Sequence, residues 1–463
     1  MCRVRRAVRC ARCDVRCDVR GAKCGARCDV RCAVQCAKCR VGCDVRLIES
    51  SDTVCVDALV APSAVRGGAI ARRARRIVED VRRRGDTALL DYARTLDGLA
   101  GPLEIARTEM KRTARSVPPR VRDAIALAAE NVRTVARRQV PRSWRVTTAA
   151  GVSVEQRVTP LDSAGCYVPG GRYPLPSSLL MTAIPAKIAG VGEVIAVCPK
   201  PDATVLAAAL EAGVDRMFRI GGAQAVAALA YGTHTVPRVD KIVGPGNAYV
   251  SAAKALVSQD CAVDFHAGPS EIVIVSSRGN PRWIAADLIA QAEHDVHARA
   301  ILLTPSKRLA LAVQAECARQ LSGTGPAREA LARNGAVVVT RTLAEAIALS
   351  QRIAPEHVMC DEESVAARLT LAGTVFVGSH SAQALGDYVT GSNHVLPTGG
   401  AARARGGLSA ADFVRVSSVQ RVSPRGFRNI APAGAVLADA EGLRAHAASI
   451  RIRMPSMRTR ERR

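Results

Sequence analysis

Apolar residues follow two rhythms along this chain. From Ser63 to about Arg138 they recur every three or four positions, as in Ile77-Val-Glu-Asp-Val-Arg-Arg-Arg and Val121-Arg-Asp-Ala-Ile-Ala-Leu-Ala, which predicts amphipathic helices. From Val152 onward, short β-branched runs alternate with Ala-rich stretches of helical length. The pairs are Glu193–Val197 with Ala203–Ala212, Met217–Ile220 with Ala223–Tyr231, Lys241–Val243 with Ala248–Val257, and Ala336–Thr340 with Leu343–Ile353. A further unit starts in the polar loop Asp264-Phe-His-Ala-Gly-Pro-Ser-Glu271, continues as a buried strand over Glu271–Ser276, and ends in a helix carrying Gln291 and His294. Such alternation predicts βαβ units and an α/β fold built on parallel sheets. In sheets of that kind ligands are expected at the carboxyl ends of the strands.

At 463 residues the chain exceeds one ordinary core, so two or three domains are expected. Aromatic residues make up only 3%, which suits an α/β enzyme and offers little surface for stacking nucleic-acid bases. The net charge of +25 is uneven: residues 1–46 hold 13 Lys/Arg against four Asp, and residues 451–463 hold six Arg against Glu461. Much of the excess therefore lies in two tails, and the mildly basic remainder suits an anionic cofactor as well as a nucleic acid.

Cysteine is uneven too. Ten of the 16 fall in residues 1–46; the other six stand alone, at Cys55, Cys166, Cys198, Cys261, Cys317 and Cys360, a pattern of a reducing compartment. No apolar run is long enough for a signal peptide or a membrane span, so a cytoplasmic protein without membrane contact is expected. Residues 1–46 are a degenerate repeat in which Cys-Asp-Val-Arg occurs four times. Cys10/Cys13 and Cys36/Cys39 have the spacing of a zinc ribbon, but almost nothing large and apolar accompanies them. A disordered low-complexity segment is expected, with the working chain beginning near Val45–Leu47.

Gln291 and His294, three residues apart, share a helical face and can direct an amide oxygen and an imidazole at one spot. Imidazole is a good zinc ligand, yet such a pair is more often solvated or hydrogen-bonded. Glycines at Gly170-Gly171, Gly221-Gly222 and Gly244-Pro-Gly246 would let a pyrophosphate approach the start of a helix, or serve only as tight turns. None forms GxGxxG. Glu356-His357 follows a proline at a helix end, where it could act in catalysis or merely cap. Asp387 could be a turn residue and His446 a solvent-facing tail residue. The segment Asp439 to Arg453 follows the turn-like Ala431-Pro-Ala-Gly434, is too short for a core, and must dock on something.

From about Leu47 to Arg451 the chain resembles histidinol dehydrogenase in an ordered series of blocks. They are Cys166-Tyr-Val-Pro-Gly-Gly-Arg172, Pro176-Ser-Ser-Leu-Leu-Met-Thr-Ala-Ile-Pro-Ala-Lys187, Gly221-Gly-Ala-Gln224, Gly244-Pro-Gly-Asn247 and Ala267-Gly-Pro-Ser-Glu271. Further on come Gln291-Ala-Glu-His294, Ala354-Pro-Glu-His357, Gly386-Asp-Tyr388 and Ser392-Asn-His-Val-Leu-Pro397. The resemblance implies an enzyme that oxidises L-histidinol to L-histidine in two NAD-dependent steps through an enzyme-held L-histidinal. It also implies a zinc-dependent homodimer with two incomplete Rossmann-like domains, an N-terminal helical segment and a C-terminal extension exchanged with the partner.

Carried over by position, the zinc ligands are Gln291, His294, Asp387 and, from the other subunit, His446. These four also face the substrate, with Ser270, His394 and Glu441. His357 is the general base, Glu356 activates water, and Tyr167, Gln224 and Asn247 contact the cofactor. The implied division is 1–46 low-complexity, 47–164 helical and leading into a first α/β domain, and 165–265 a second, cofactor-side domain. Residues 266–410 would return to the first domain with the zinc and catalytic residues, and 411–463 would form the extension. His234, His266, His297 and His380 match nothing in the family.

Three other readings remain open. One is an aldehyde dehydrogenase with Cys166 as nucleophile. Another is a paralogue oxidising a different alcohol, such as a sulfonated diol, against which His394 and Glu441 speak. The third is a basic nucleic-acid-binding protein, for which no recognition motif is found.

Overall fold

Two parallel sheets, each wound in the same sense, organise the chain. The computed structural model describes residues 45–61, 68–170, 174–265, 268–321 and 325–454, together with the backbone of 8–9 and 16–17, which pair antiparallel. The zinc-ribbon spacings in the N-terminal repeat lie outside the described residues. The chain divides into two units, the first made of Met1–Arg66, Ala267–Gly386 and Leu396–Gly407, the second of Gly67–His266, Asp387–Val395 and Leu408–Arg463.

In the first unit six parallel strands run in the order Thr374–Val377, His357–Cys360, Glu271–Val275, Arg299–Thr304, Ala336–Val339, Arg46–Glu49. The middle strands are buried on both faces, as parallel strands covered by helices must be. Alternate side chains then serve two cores. Ile272, Ile274, Ala300 and Leu302 pack with helices Pro281–Ala292, Lys307–Gln320 and Pro326–Asn334, while Val273, Val275, Ile301 and Leu303 pack with Thr53–Val60 and Leu343–Ile353. Arg46 already belongs to the sheet, opposite Ala336.

The second unit's parallel sheet has the order Ala262–Val263, Lys241–Val243, Ser163–Tyr167, Glu193–Val197, Arg216–Phe218. The winding reverses between Ser163–Tyr167 and Lys241–Val243, the doubly wound arrangement in which a crevice opens beyond the carboxyl ends of those two strands. Helices Pro176–Ala189 and Ala203–Ala212 cover one face with Pro119–Gln139; Gly222–Tyr231 and Ala248–Val257 cover the other with Gly68–Arg84. The N-terminal helices thus complete this unit's layers. This differs from the expectation that residues 47–164 lead into the first α/β domain, because helical periodicity does not say which sheet an apolar face will cover.

A three-stranded antiparallel sheet of Trp144–Ala149, Val152–Pro160 and Val414–Val422 also belongs to the second unit. Beyond it, helix Pro424–Ala440 packs against helix Arg444–Arg451. Ala431-Pro-Ala-Gly434, read as turn-like, is helical. Gly426, Ala431, Ala435 and Ala438 are the buried positions of helix Pro424–Ala440, and a Cβ on Gly434 would stand 3.2 Å from Ile450. Small residues let the second helix approach, and that packing overrides the propensity of Pro432 to break the helix. Among the described residues no helix is long and apolar enough to cross a membrane.

One ion pair is buried in the second unit. Lys254 Nζ lies 2.7 Å from Asp264 Oδ1, the two side chains being 4% and 1% exposed, and Asp264 Oδ2 accepts the Gly244 N–H at 2.7 Å. Removing one partner of such a pair leaves the other charge unpaired, at a cost of about 3–5 kcal/mol. Lys254→Met should therefore lower the unfolding free energy by that amount in urea titration, and adding Asp264→Asn should recover part of it. A loss below about 1 kcal/mol would contradict the assignment.

Candidate functional site

In the first unit the candidate residues lie where the strands begin. Ser270 immediately precedes strand Glu271–Val275. His357 opens strand His357–Cys360 opposite Ile272, with Glu356 just before it, and Gln291 and His294 end the helix that leads to strand Arg299–Thr304. This is the amino edge, not the carboxyl edge expected from the fold class. The carboxyl side of the same winding reversal is closed internally. Ser276 Oγ donates to Asp361 Oδ1 at 2.7 Å, and the Ser277 N–H donates to Asp361 Oδ2 at 2.8 Å.

Glu356 and His357 are 6% and 4% exposed. They are delivered by Ala354, whose φ of 50° and ψ of 64° end helix Leu343–Ile353 in the left-handed region that disfavours a side chain. Glu356 Oε2 accepts the Glu271 N–H at 2.8 Å and lies 3.7 Å from His357 Nδ1. His357 Nδ1 is 3.3 Å from the Glu271 carbonyl, which only accepts; the proton is therefore assigned to Nδ1, leaving Nε2 the basic nitrogen, 3.4 Å from Gln383 Nε2. The pair is no helix cap. It is held by the backbone of the next strand.

Behind it lies a buried carboxylate that the sequence reading passed over. Glu271 Oε2 meets Arg299 Nη1 at 2.9 Å and its Oε1 accepts the Gly399 N–H at 2.9 Å. Burial raises its pKa, and the Arg299 charge opposes the rise. Gln383 was missed as well, since a lone glutamine before Gly386-Asp-Tyr388 gives no signal until the fold brings it to His357.

Gln291 is fully buried, and neither its amide oxygen nor its amide nitrogen has a hydrogen-bond partner. An orphaned buried amide is costly unless something else binds it, and a metal ion is one such partner. His294 sits just beyond the helix, which ends at Ala292, so the helix carries Gln291 but not His294. Its Nδ1 is 3.2 Å from the carbonyls of both Ala290 and Gln291, an arrangement that fixes the ring and presents Nε2 as the ligating nitrogen. These two residues fit a zinc ion in ligand type. Asp287, one helical turn before Gln291, has its carboxyl pushed up to about 6 by burial.

The remaining positions belong to the second unit. Asp387 and His394 are linked, the Asp387 carbonyl accepting from His394 Nδ1 at 2.8 Å, while His394 Nε2 lies 3.4 Å from Ser178 Oγ. Glu441 caps helix Pro424–Ala440, and exposed His446 lies on helix Arg444–Arg451. The four expected metal ligands thus fall two to each unit, and among the described residues no three His, Cys, Asp or Glu side chains converge.

Tyr167 ends the strand at the second unit's winding reversal, and Asn247 caps helix Ala248–Val257 by accepting the Tyr249 and Val250 N–H groups. At Gly221-Gly222 and at Gly244 the backbone amides are already taken. Gly221 N–H is bound by Asp97, Gly222 N–H by the Tyr167 hydroxyl at 2.9 Å, and Gly244 N–H by Asp264. Gln224 is 1% exposed, and its amide oxygen has no donor. Cys166 is fully buried on its strand, and burial pushes its thiol up to about 12, so the rival reading with a cysteine nucleophile loses its thiolate.

Comparison with known proteins shows which family the chain belongs to. The family model for histidinol dehydrogenase matches residues 63–454. Histidinol dehydrogenase of Bradyrhizobium diazoefficiens is 46% identical over 395 residues, covering 82% of this chain and 92% of its own. That of Bordetella parapertussis is 47% identical over 411 residues, covering 86% and 93%. The crystal structure of histidinol dehydrogenase from Elizabethkingia anophelis superposes with a TM-score of 0.84 at 31% identity, covering 89% of this chain and 98% of that one. The chain belongs to the histidinol dehydrogenase family, oxidoreductases that oxidise histidinol in histidine biosynthesis.

Proposed function

We propose that the chain converts L-histidinol to L-histidine through enzyme-held L-histidinal as a zinc-dependent, NAD-linked homodimer of the cytoplasm. The observation that carries this reading is the buried Glu356/His357 pair at the amino edge, on the same sheet whose neighbouring helix presents the orphaned Gln291 amide. The six free cysteines among the described residues support a reducing compartment.

When bound, zinc supplies a Lewis acid that orients the substrate, and NAD supplies the acceptor for the hydride removed at each step. Gln291, His294, Asp387 and the partner's His446 would hold the metal. In the first step His357 Nε2 takes the hydroxyl proton as the alcohol carbon gives up hydride and becomes the aldehyde. In the second, Glu356 takes a proton from water, whose oxygen adds to the aldehyde carbon before the second hydride leaves. Ser270 and His394, with the partner's Glu441, would hold the substrate, and Tyr167, Gln224 and Asn247 the cofactor.

The working chain starts with strand Arg46–Glu49, and residues 411–463 form the extension that crosses to the partner. An apolar surface supports the exchange: Val436 is 66% exposed, Leu437 64% and Ile452 82%, and Trp144, Val146 and Val416 are exposed on the three-stranded sheet. Large apolar side chains exposed in this number call for cover, which a second copy of the chain supplies reciprocally.

Three outcomes follow. Chelation should abolish NADH production from histidinol and added zinc restore it, whereas full activity in verified metal-free enzyme would exclude the metal. Glu356→Gln should impair histidinal oxidation far more than histidinol oxidation, and His357→Asn should slow alcohol oxidation by roughly two to four powers of ten. Equal losses in both half-reactions for Glu356→Gln would reject this division of labour. His446→Ala and His294→Ala should each be nearly inactive, yet equal amounts reassembled at random should regain roughly a quarter of wild-type activity, because half the dimers are mixed and each has one intact site. No recovery after proven subunit exchange would put His446 in its own subunit's site or outside the chemistry.

A further inference from the structure

At the turn after the second unit's edge strand, Arg216–Phe218, lies a polar cluster that the reaction above leaves unused. Asp97 ends a π-helical turn, Ala93–Asp97, and Gly98 beyond it turns the chain away at φ 70°. Wide turns of this kind often re-aim a side chain at a functional position. Asp97 is buried, and one carboxylate oxygen, Oδ2, accepts both the Gly221 N–H at 3.1 Å and the Gln224 amide N–H at 2.9 Å. Burial raises the Asp97 pKa, and these hydrogen bonds together with the Lys200 charge oppose the rise.

The chemistry of the cluster is directional. A carboxylate accepts and an amide nitrogen donates, so Asp97 fixes which end of the Gln224 amide faces it. The other end, Oε1, is buried without a donor, an unfavourable state until one arrives. It lies over Gly222, where a Cβ would stand 2.6 Å from Oε1 and where φ is 61°, so both space and backbone require glycine. The neighbouring N–H groups, which could have received a phosphate, are already bound by Asp97 and the Tyr167 hydroxyl.

We propose that Asp97 is a positioning residue for the cofactor. It holds the Gln224 amide so that the carbonyl oxygen accepts from an amide or hydroxyl of the dinucleotide, and this end of helix Gly222–Tyr231 makes no contact with its phosphates. The inference rests on Gln224 being a cofactor contact, as proposed above.

The test is NADH affinity, read from NADH fluorescence with the full-length zinc-loaded enzyme, alongside steady-state kinetics. Asp97→Asn keeps the shape but gives Gln224 a donor, allowing its amide to turn over and consume Oε1. The NADH dissociation constant and the KM for NAD should rise about tenfold, the loss of roughly one hydrogen bond, while kcat and the KM for histidinol change less than about twofold. In a Gln224→Ala background, Asp97→Asn should add less than about twofold. If Gln224→Ala alone leaves NADH affinity unchanged, Gln224 is no cofactor contact and the inference falls with that reading. If Gln224→Ala weakens NADH but Asp97→Asn does not, only the positioning role is overturned. A tenfold effect that persists without Gln224, or a parallel loss of kcat and histidinol affinity, would assign Asp97 a different or merely structural role.

Discussion

Glu271 is the residue on which the first unit's site depends. Its carboxylate is held by Arg299 and by the Gly399 N–H, its own N–H carries Glu356, and its carbonyl receives His357. Arg299 in turn donates to the Leu59 carbonyl, so one buried ion pair joins four stretches of chain that are far apart in sequence. A buried pair of this kind adds little net stability by itself. Its value lies in geometry, since the backbone N–H that meets Glu356 and the carbonyl that meets His357 both belong to Glu271, while Gln383 meets His357 at Nε2. The left-handed backbone at Ala354 persists because the next residues are secured by that strand.

The same device recurs where a doubly wound fold would usually take its ligand. Asp361 accepts from Ser276 and Ser277 at the first unit's reversal, Asp264 from Gly244, and Asp97 from Gly221. In each case an aspartate from this chain satisfies the backbone amide or hydroxyl that a phosphate would otherwise have met. A GxGxxG loop would have no task in such turns, which gives its absence from the sequence a physical reason. Glycine remains where the backbone demands it, at Gly244 for instance, where φ is 112° and a Cβ would stand 2.2 Å from the Tyr167 carbonyl oxygen.

The strands and helices themselves were largely legible. Alternating β-branched and Ala-rich runs place Glu193–Val197, Ala203–Ala212, Lys241–Val243 and Ala248–Val257 at the observed bounds, because burial on both faces leaves a continuous apolar signature. Periodicity is local, however, and three features depend on long-range packing. It cannot say that helices Gly68–Arg84 and Pro119–Gln139 cover the second sheet, that Pro432 sits inside a helix, or which edge of a sheet holds the site. The individual candidates, Glu356 and His357 above all, were readable only as a resemblance. What locks them, the Glu271–Arg299 pair and Gln383, is ordinary in sequence and becomes visible through hydrogen bonds spanning tens of residues.

The choice of the amino edge has an electrostatic meaning. Between parallel strands the connecting helices run antiparallel to the sheet, so at the carboxyl edge they begin and at the amino edge they end. A helix start carries a partial positive charge and a helix end a partial negative one, each equivalent to roughly half a unit charge. Helix Pro281–Ala292 brings its carbonyl end to the position of Gln291, with the His294 ring folded back against the carbonyls of Ala290 and Gln291. Each edge of such a sheet is therefore preset for one sign of guest, and the edge bearing Glu356, His357, Gln291 and His294 favours a cation before any ligand side chain is counted.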